Sequence, residues 1–592
     1  MKYNVSDTLE ERWGVISNLH CFLHRHLDTG FKTKWSGFWS PPYKFMDYYS
    51  FKINGIALGP ETVRAVEYGE EMIFHHETDS LRIREKVCAP STVPGIEVSL
   101  ELENKMDKKK AVHAVLKPGV DIRHQSHDIE EKEYDMEEGP NRVTLSRDGK
   151  KLMITSDEEF KLRGEPHSRE HFPGEKQKCF IPGDITFRKE LEDEEALKVQ
   201  FTTSDGVFGE LEKVDQSLEG EGLERLFNYS IESMKNLVYE KEGTTGLIAG
   251  HPWFQSFWAR DSMWTVLGLI DAGYFELSED ILTEFARNGL PDRIKMEKGI
   301  EKTGKSDTIP LFVIASDKLE RHFRINDAIE EARKEVGEEL DLDEGVVQHE
   351  ADGTWMDTLE RDEAVDIQAL WLEAAEILGL EVSEELESGL EKFCDQEYMA
   401  DHLGEDSPTT INPAVSLMFG QIEEEGRAEN YLQKINGELS SHQGARTRAV
   451  TDPGYDPSGY HEGSTWGLTT GWAAAANLEY GNGSHGKSFL EKMKGFLDRN
   501  QLGALPEVVN SENGELLGCG EQAWSAGIMV HIIDSYLLGI EVRSPDKIII
   551  DPAEELNCLR TGKKVGDQII DIRISDGEAE VLNDPDLEVE LR

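Results

Sequence analysis

The sequence has few cysteines, and these are widely scattered. Only six occur in 592 residues, and no two of them form a C-x-x-C pair. They are Cys21, Cys88, Cys179, Cys394, Cys519 and Cys558. Disulfide-stabilised domains and structural zinc sites both depend on closely spaced cysteines. No loop with calcium-binding spacing stands out either, so we predict no disulfide framework, no metal and no cofactor.

Long hydrophobic stretches are also missing. A membrane-spanning helix needs about 18 or more consecutive apolar residues, and no such run occurs. The first residues, Met1–Asp7, contain no apolar segment of the kind that directs secretion. We therefore expect no membrane partner, and together with the scattered cysteines this favours a cytoplasmic protein.

Basic residues are scarce relative to acidic ones. The chain has 63 Lys and Arg against 117 Asp and Glu, which gives a formal net charge of −54. Such a surface repels nucleic acids and anionic lipids, so neither is an expected partner. The acidic residues are spread along the whole chain and form no separate tail. Because molar salt shortens the Debye length to about 3 Å, a salt-rich cytoplasm of the halophilic kind would relieve this repulsion.

The two ends of the chain have the pattern of β-strands. At this length two or three domains are expected. Residues 1–212 contain alternating segments such as 49–54, 80–87 and 95–102, which predict a β-sandwich domain. Strands return after residue 543, for example at 547–551 and 568–574, and predict a small β cap over 544–592.

Residues 213–543 have helical periodicity instead. Twelve helices are predicted, starting near 218, 258, 276, 308, 325, 362, 383, 411, 426, 462, 485 and 520. The even-numbered helices are the more apolar, whereas odd-numbered ones such as 383–396 are amphipathic and charged. Six buried helices alternating with six half-buried ones predict an (α/α)6 barrel with the even helices inside.

The unusual segments of the helical region all fall in connections from an odd to an even helix. In such a barrel these connections emerge at the same end. They are residues 256–262, 306–308, 354–357, 455–463 and 505–507. We therefore expect them to form one site at one mouth of the barrel.

The residues in these connections are suited to a sugar substrate. Aromatic rings offer flat apolar faces, and charged or polar groups can bind hydroxyls. The predicted substrate-binding residues are Trp258, Arg260, Asp261, Asp307, Trp355, Tyr460, His461 and Trp466. Two carboxyl groups among such rings are what glycosidic-bond cleavage requires. Asp357, beside Trp355, is expected to be desolvated enough to keep a proton and act as general acid, and Glu507 is expected to be the general base.

Several motifs resemble a known family. The segments Thr354–Asp357, Ala364–Ile367, Tyr460-His461, Leu505–Glu507 and Gln522–Ser525 are similar to the amylo-α-1,6-glucosidase part of archaeal-type glycogen debranching enzymes. Trp258–Ser262 also resembles the glucose-binding segment of the related glucoamylases. The resemblance covers roughly residues 245–540. It implies Asp357 as acid, Glu507 as base, Arg260 and Asp261 at the terminal glucose, and an inverting, exo-acting hydrolase whose carboxyls are about 6.5–9.5 Å apart.

The sequence departs from the family in places. Asp366 stands where the family usually has Glu, and Ala259 replaces a common Gly. The glucanotransferase half of large eukaryotic debranching enzymes is missing, so a two-activity enzyme is not expected. An α-1,4-glucoamylase or a trehalase on the same barrel remains an alternative, since the loops 290–306 and 400–410 are expected to set linkage preference. An inactive glucan-binding protein is a further alternative.

Each site residue also has a purely structural interpretation. Asp357 is in a position where aspartate commonly caps a helix. Glu507 is one of many acidic residues, and Arg260 with Asp261 can form a structural ion pair. Trp466 and Trp524 lie in helical stretches where a tryptophan can simply belong to the core.

The net charge generates a testable prediction about salt. Because added KCl screens repulsion between the acidic side chains, the melting temperature should rise with KCl concentration from about 0.1 to 2 M. Differential scanning calorimetry measures this directly. A melting temperature that does not rise with KCl would contradict the expected salt-rich setting.

Overall fold

The computed structural model describes residues 2–106, 110–127, 133–170, 178–204, 209–241, 243–297, 299–301, 306–395, 397–404, 406–583 and 586–592. The chain divides into two compact units. The first contains Met1–Leu211, Val238–Glu242 and Arg499–Leu502, and the second contains Glu212–Leu237, Gly243–Asp498 and Gly503–Arg592. The segment 544–592, expected to form a separate cap, therefore lies in the same unit as the helices.

The first unit consists of two mainly antiparallel sheets in its described residues. Alternating burial along strands such as Leu81–Cys88 shows why they form: every second side chain enters the core. One sheet runs in the order Tyr3–Val5, Val63–Tyr68, Met72–Glu77, Leu81–Cys88, Gly95–Asn104, Glu194–Thr202, Lys150–Ser156, Arg142–Arg147, Asp135–Glu138. The other runs Lys161–Arg163, Asp184–Leu191, Lys110–His124, Tyr43–Ile53, Gly37–Ser40, Cys21–His26, Trp13–Asn18, with Ile56–Ala57, His167–Glu170 and Lys178–Ile181 at its sides. Both sheets contribute to one hydrophobic core, as in a β-sandwich.

The second unit contains the twelve predicted α-helices, counted over the described residues. They are α1 Glu224–Asn236, α2 Ala259–Asp271, α3 Phe275–Arg287, α4 Thr308–Glu320, α5 Asp327–Glu335, α6 Val365–Leu378, α7 Ser383–Glu391, α8 Ala414–Met418, α9 Glu425–Gly437, α10 Gly467–Glu479, α11 Gly483–Lys494 and α12 Ala523–His531. A π-helical turn, Ile532–Leu537, continues α12, and a 3₁₀ turn, Val336–Glu338, follows α5. No helix among the described residues is long and apolar enough to cross a membrane.

The difference between even and odd helices is confirmed. Nearly every residue of α2, α10 and α12 is buried, whereas Ile329 is the one buried residue of α5. Each even helix contacts the next one in the order α2, α4, α6, α8, α10 and α12. Helix α12 in turn contacts α2, so the even helices form a closed ring. Helices α2 and α12 meet at Gly268 and Gly527, where a Cβ on Gly268 would lie 2.3 Å from the Gly527 carbonyl oxygen. Glycine at these two positions thus permits a close approach of the two helix backbones.

Short strands accompany the helices of the second unit. They are Thr244–His251, Phe254–Trp258, Arg293–Ile294, Ile300–Glu301, Leu342–Asp343, Val346–Val347, Thr465–Trp466, Val508–Val509 and Glu521–Gln522. Val238–Lys241 is a further strand in the first unit. The C-terminal strands form two sheets, one of Ser217–Gly220, Cys558–Val565, Gln568–Ser575 and Glu578–Val581, the other of Ile540–Ser544, Lys547–Ile550 and Glu588–Leu591. The first of these sheets includes a strand from before α1, which the sequence pattern did not indicate.

Candidate active site

The residues singled out in the odd-to-even connections meet in one cavity. It has a volume of about 170 Å³ and lies in the second unit. All ten predicted site residues line it: Trp258, Arg260, Asp261, Asp307, Trp355, Asp357, Tyr460, His461, Trp466 and Glu507. The structure therefore brings together side chains from five connections. Trp258 and Glu507, the two most distant of these residues, are 249 positions apart in sequence.

The beginnings of the even helices position these side chains. Trp258 ends a short strand directly before α2, Asp307 precedes α4, and Trp466 precedes α10. Gln522, which precedes α12, lines the same cavity, so the N-terminal ends of these four even helices lie together around it. The N–H groups of a helix N-terminus carry partial positive charge, which stabilises carboxylates placed beside it.

A buried ion pair forms the charged side of the cavity. Arg260 Nε donates to Asp307 Oδ2, and its Nη2 donates to Asp307 Oδ1 at 3.2 Å. Burial disfavours the charge on Arg260, but Asp307, with Asp357 and Asp261 nearby, raises its pKa. Asp261 instead accepts a hydrogen bond from Gln522 Nε2 at 2.8 Å, and burial raises the pKa of Asp261 to about 7. Arg260 is therefore paired with Asp307 and not with its sequence neighbour Asp261.

Glu507 is held firmly from two directions. Its side chain is 2% exposed, Tyr460 donates to Oε1, and the backbone N–H of Cys519 donates to Oε2 at 2.8 Å. Burial raises the pKa of Glu507, and the two hydrogen bonds offset part of that increase. A Cβ on Gly518 would lie 2.3 Å from Oε2, so only glycine leaves room for the carboxylate here.

The environment of Asp357 differs from the expected one. Its side chain is 39% exposed, and Oδ2 lies 3.8 Å from Arg260 Nη1. The expected desolvation by Trp355 is therefore wrong, because the neighbouring indole faces inwards. Trp355 is 3% exposed and donates from Nε1 to Asn412 Oδ1 at 2.7 Å.

Aromatic rings form the apolar side of the cavity. Trp355 packs edge-on against His461 and Trp466, with centroid distances of 5.2 and 5.5 Å. His461 stacks on Trp466 at 5.3 Å, and Tyr460 meets Trp466 edge-on at 4.6 Å. Burial lowers the pKa of His461 to about 3, so the ring is neutral at physiological pH and its Nδ1 lies 2.7 Å from Thr358 Oγ1. Trp466 is both buried and part of the cavity wall.

Some cavity residues were absent from the predicted set. They are Ala249, Phe254, Asp292, Thr308, Gln522 and Trp524. Asp292 lies in the connection from α3 to α4, so the odd-to-even rule applied in full would have included it. Gln522 and Trp524 belong to a motif that the sequence analysis quoted. Ala249 and Phe254 lie on strands between α1 and α2 that the helical pattern did not reveal.

Comparison with known proteins follows this geometry. Residues 231–404 and 411–531 match the family model described as amylo-alpha-1,6-glucosidase. No curated protein sequence matches the chain. A bacterial glucoamylase complexed with acarbose aligns with 90% of this chain and 97% of its own, at 13% identity and a TM-score of 0.58. A GH63 mannosylglycerate hydrolase from Thermus thermophilus, complexed with glucose, aligns with 52% and 99%, at 14% identity and a TM-score of 0.42.

These findings confirm the resemblance that the motifs indicated. The fold, the family match and a cavity lined by carboxylates and aromatic rings define a glycoside hydrolase of the glucoamylase-like class. Within that class, the helical region over residues 231–404 and 411–531 belongs to the amylo-alpha-1,6-glucosidase family.

The buried ion pair of the site generates a stability prediction. Asp307→Asn leaves the Arg260 guanidinium buried without its bidentate partner, since Arg260 and Asp307 are only 13% and 4% exposed. Breaking such a pair costs about 3 kcal/mol or more. We expect this decrease in the free energy of unfolding, measured by chemical denaturation.

A surface ion pair of the same unit provides the matched control. Arg225 and Asp498 are also joined by two hydrogen bonds, but they are 39% and 53% exposed. Asp498→Asn should therefore cost less than about 1 kcal/mol. If the free energy of unfolding decreased equally in the two variants, the Arg260–Asp307 pair would not be the strongly stabilising buried ion pair that its low exposure indicates.

Proposed function

We propose that the protein is an inverting, exo-acting α-glucan hydrolase that releases glucose from α-1,6-linked branch points. The observation that carries this proposal is the convergence of Asp357 and Glu507 on one cavity with the Arg260–Asp307 pair and the aromatic rings. A small cavity lined by both charged groups and aromatic rings suits a single sugar residue at a chain end. Family membership supports the same substrate class.

The order of helices in the ring supports separate roles for the two acids. Asp357 lies in the connection before α6, and Glu507 lies in the connection before α12. In the ring α6 and α12 are separated by two helices on either side, so the two carboxyls approach from opposite sides. Opposite placement leaves room for a water molecule beside the sugar, which an inverting enzyme requires.

The chemistry assigned to each acid follows from its surroundings. Glu507 is the general base: Tyr460 and the Cys519 N–H orient its carboxylate so that it can take a proton from the attacking water. Asp357 is the general acid that protonates the departing sugar oxygen. Its carboxyl is 39% exposed, and a glucan bound in this cavity would cover it and exclude water from the reacting atoms. Arg260 and Asp261 bind hydroxyls of the terminal glucose.

The helical unit is best described as an (α/α)6 barrel. The closed ring of six even helices, with the odd helices packed outside it, supports this architecture. The acidic surface supports a salt-rich cytoplasm as the setting. Linkage preference depends on the loops 290–306 and 400–410, of which residues 298, 302–305 and 405 lie outside the described part of the chain.

The activity is tested with three substrates in molar KCl. We expect glucose from branched limit dextrin, and much less from linear maltooligosaccharides or trehalose. Polarimetry or NMR should show β-glucose as the initial product, because inversion of an α-bond gives the β-anomer. Glucose from none of the three would favour an inactive glucan-binding protein, and initial α-glucose would refute inversion.

The roles of the two acids are tested by amide substitution. Asp357→Asn and Glu507→Gln should each lower kcat by roughly 10²- to 10⁴-fold, the usual contribution of a general acid or base. Asp362→Asn and Glu512→Gln are matched controls, since each changes an exposed carboxyl five positions further along the chain. Near-normal turnover in either catalytic variant would remove that residue from the mechanism.

The contact between Tyr460 and Glu507 generates a prediction about pH. The hydroxyl stabilises the Glu507 carboxylate, so Tyr460→Phe should raise the pKa of Glu507. A base is active when ionised, so activity is lost as pH falls through its pKa. The acidic limb of the kcat/KM profile should therefore move to higher pH. Tyr455→Phe, in the same connection but bonded to Ser511, should leave the limb in place. An unchanged limb in Tyr460→Phe would refute this role.

A further inference from the structure

The loop that carries Asp357 is anchored at its base by an arginine. Residues 351–361 form this loop, and Arg361 N donates to the Ala351 carbonyl oxygen at 2.8 Å, which closes it. The Arg361 guanidinium turns into the protein, where Nη1 donates to Thr354 Oγ1 at 3.1 Å. The loop is therefore attached to a buried group on the side away from the cavity.

The arginine lies between two buried carboxylates. Nη2 donates to Asp366, and Nε donates to Asp401 Oδ2 at 2.7 Å. Burial disfavours a charge on Asp401, but Arg361, His402 and Thr410 together hold its pKa below the ordinary range. Asp401 is thus an ionised carboxylate that can only accept hydrogen bonds. Asp366, one of the family departures in the sequence, is one of the two carboxylate partners of this arginine.

Asn412 connects this charge cluster to the wall of the active site. Its Oδ1 accepts from Trp355 Nε1 at 2.7 Å, and its Nδ2 donates to Asp401 Oδ1 at 2.6 Å. Nδ2 also lies 3.3 Å from the Met356 sulfur. An indole N–H only donates and an ionised carboxylate only accepts, so the group between them has to do both. This fixes the orientation of the amide, and neither a carboxylate nor an apolar side chain can replace it.

The orientation of the Trp355 ring affects the packing of several other side chains of the site. Besides His461 and Trp466, the ring meets Trp472 edge-on at 5.4 Å, so it touches three other rings. Rotation of the indole would disturb all three contacts. Asp357 is two residues further along the same loop, and its side chain is far more exposed than that of Trp355. The position of its carboxyl therefore depends on how the preceding residues are held.

We propose that Asn412 is a positioning residue for the reaction: by fixing the Trp355 indole against Asp401, it sets the loop that presents the Asp357 carboxyl to the scissile bond. Asn412 does not line the cavity and acts through Trp355. This inference rests on the proposed function, because that function assigns Asp357 its role in the reaction. The contacts of Asn412 can be tested without any activity.

Asn412→Asp provides a test with a distinctive pH dependence. The substitution places a second carboxyl at the 2.6 Å contact with Asp401. Two carboxylates this close cannot both ionise, so they share one proton, which replaces the lost N–H. As pH rises this proton is lost and the contact becomes repulsive. Relative to wild type, kcat of Asn412→Asp should be nearly normal at pH 5.5 and fall steadily towards pH 9.

Asn412→Leu provides the pH-independent comparison. Leucine can neither accept from Trp355 nor donate to Asp401, so the loss should be similar at every pH. Displacing a catalytic group by about 1 Å can cost on the order of 100-fold in rate, and we expect a decrease of this size in kcat with a smaller change in KM. Asn477→Leu and Asn477→Asp are matched controls. Asn477 is also fully buried, but it bonds to Asn436 and the Ala473 carbonyl oxygen. Both controls should keep the wild-type pH profile.

A spectroscopic measurement separates this inference from the proposed function. In protein labelled with 5-fluorotryptophan, the ¹⁹F signal of Trp355 is assigned by its absence from Trp355→Phe. We expect this signal to shift in Asn412→Leu, and to shift with rising pH in Asn412→Asp but not in the Asn477 variants. If the wild type hydrolyses no glucoside, the proposed function fails while the ¹⁹F result still tests the contact. An unshifted signal, or Asn412 variants with the kcat and pH profile of the Asn477 controls, would overturn the inference.

Discussion

The even helices of this protein bury their apolar surfaces against one another and against the odd helices around them. Helices such as α2, α10 and α12 are apolar on nearly every face, so an arrangement that exposed any side would leave large hydrophobic areas in water. A closed ring satisfies all six at once, and the odd helices cover its outside. The residues directly before α2, α4, α10 and α12 line one cavity, so these helices begin at the same end of the ring and the connections that precede them meet there.

This constraint explains how distant residues become one site. The Arg260–Asp307 pair joins the beginnings of α2 and α4, which are neighbours in the ring. Asp357 and Glu507 come from connections on opposite sides of it. Each charged group is supported from behind by buried polar contacts: the Cys519 N–H holds Glu507, and Asn412 holds the loop of Asp357. The ring of apolar helices determines where the side chains of the site lie, and the polar contacts determine how these side chains are oriented.

Sequence periodicity predicted the helices well, because four of the even helices, α2, α4, α6 and α10, are 13 or 14 residues long and largely apolar. The first helix differs most, beginning at Glu224 where the pattern suggested 218. Ala249 and Phe254 in the cavity were missed because short strands between helices leave no periodic signal. The pairing of Ser217–Gly220 with Cys558–Val565 was equally invisible, since it joins segments more than 300 residues apart.

The sequence by itself determined which residues meet, because helix order and apolar periodicity fix the ring and therefore the end at which each connection emerges. Only the tertiary structure decided their electrostatic states. Burial of a carboxyl depends on every neighbour that folding brings close, and a single chain pattern does not contain that information. Asp357, expected to be shielded by Trp355, is exposed, whereas Glu507, expected to be the general base, is buried and bonded at both oxygens. For the same reason, Arg260 is paired with Asp307 and not with its sequence neighbour Asp261.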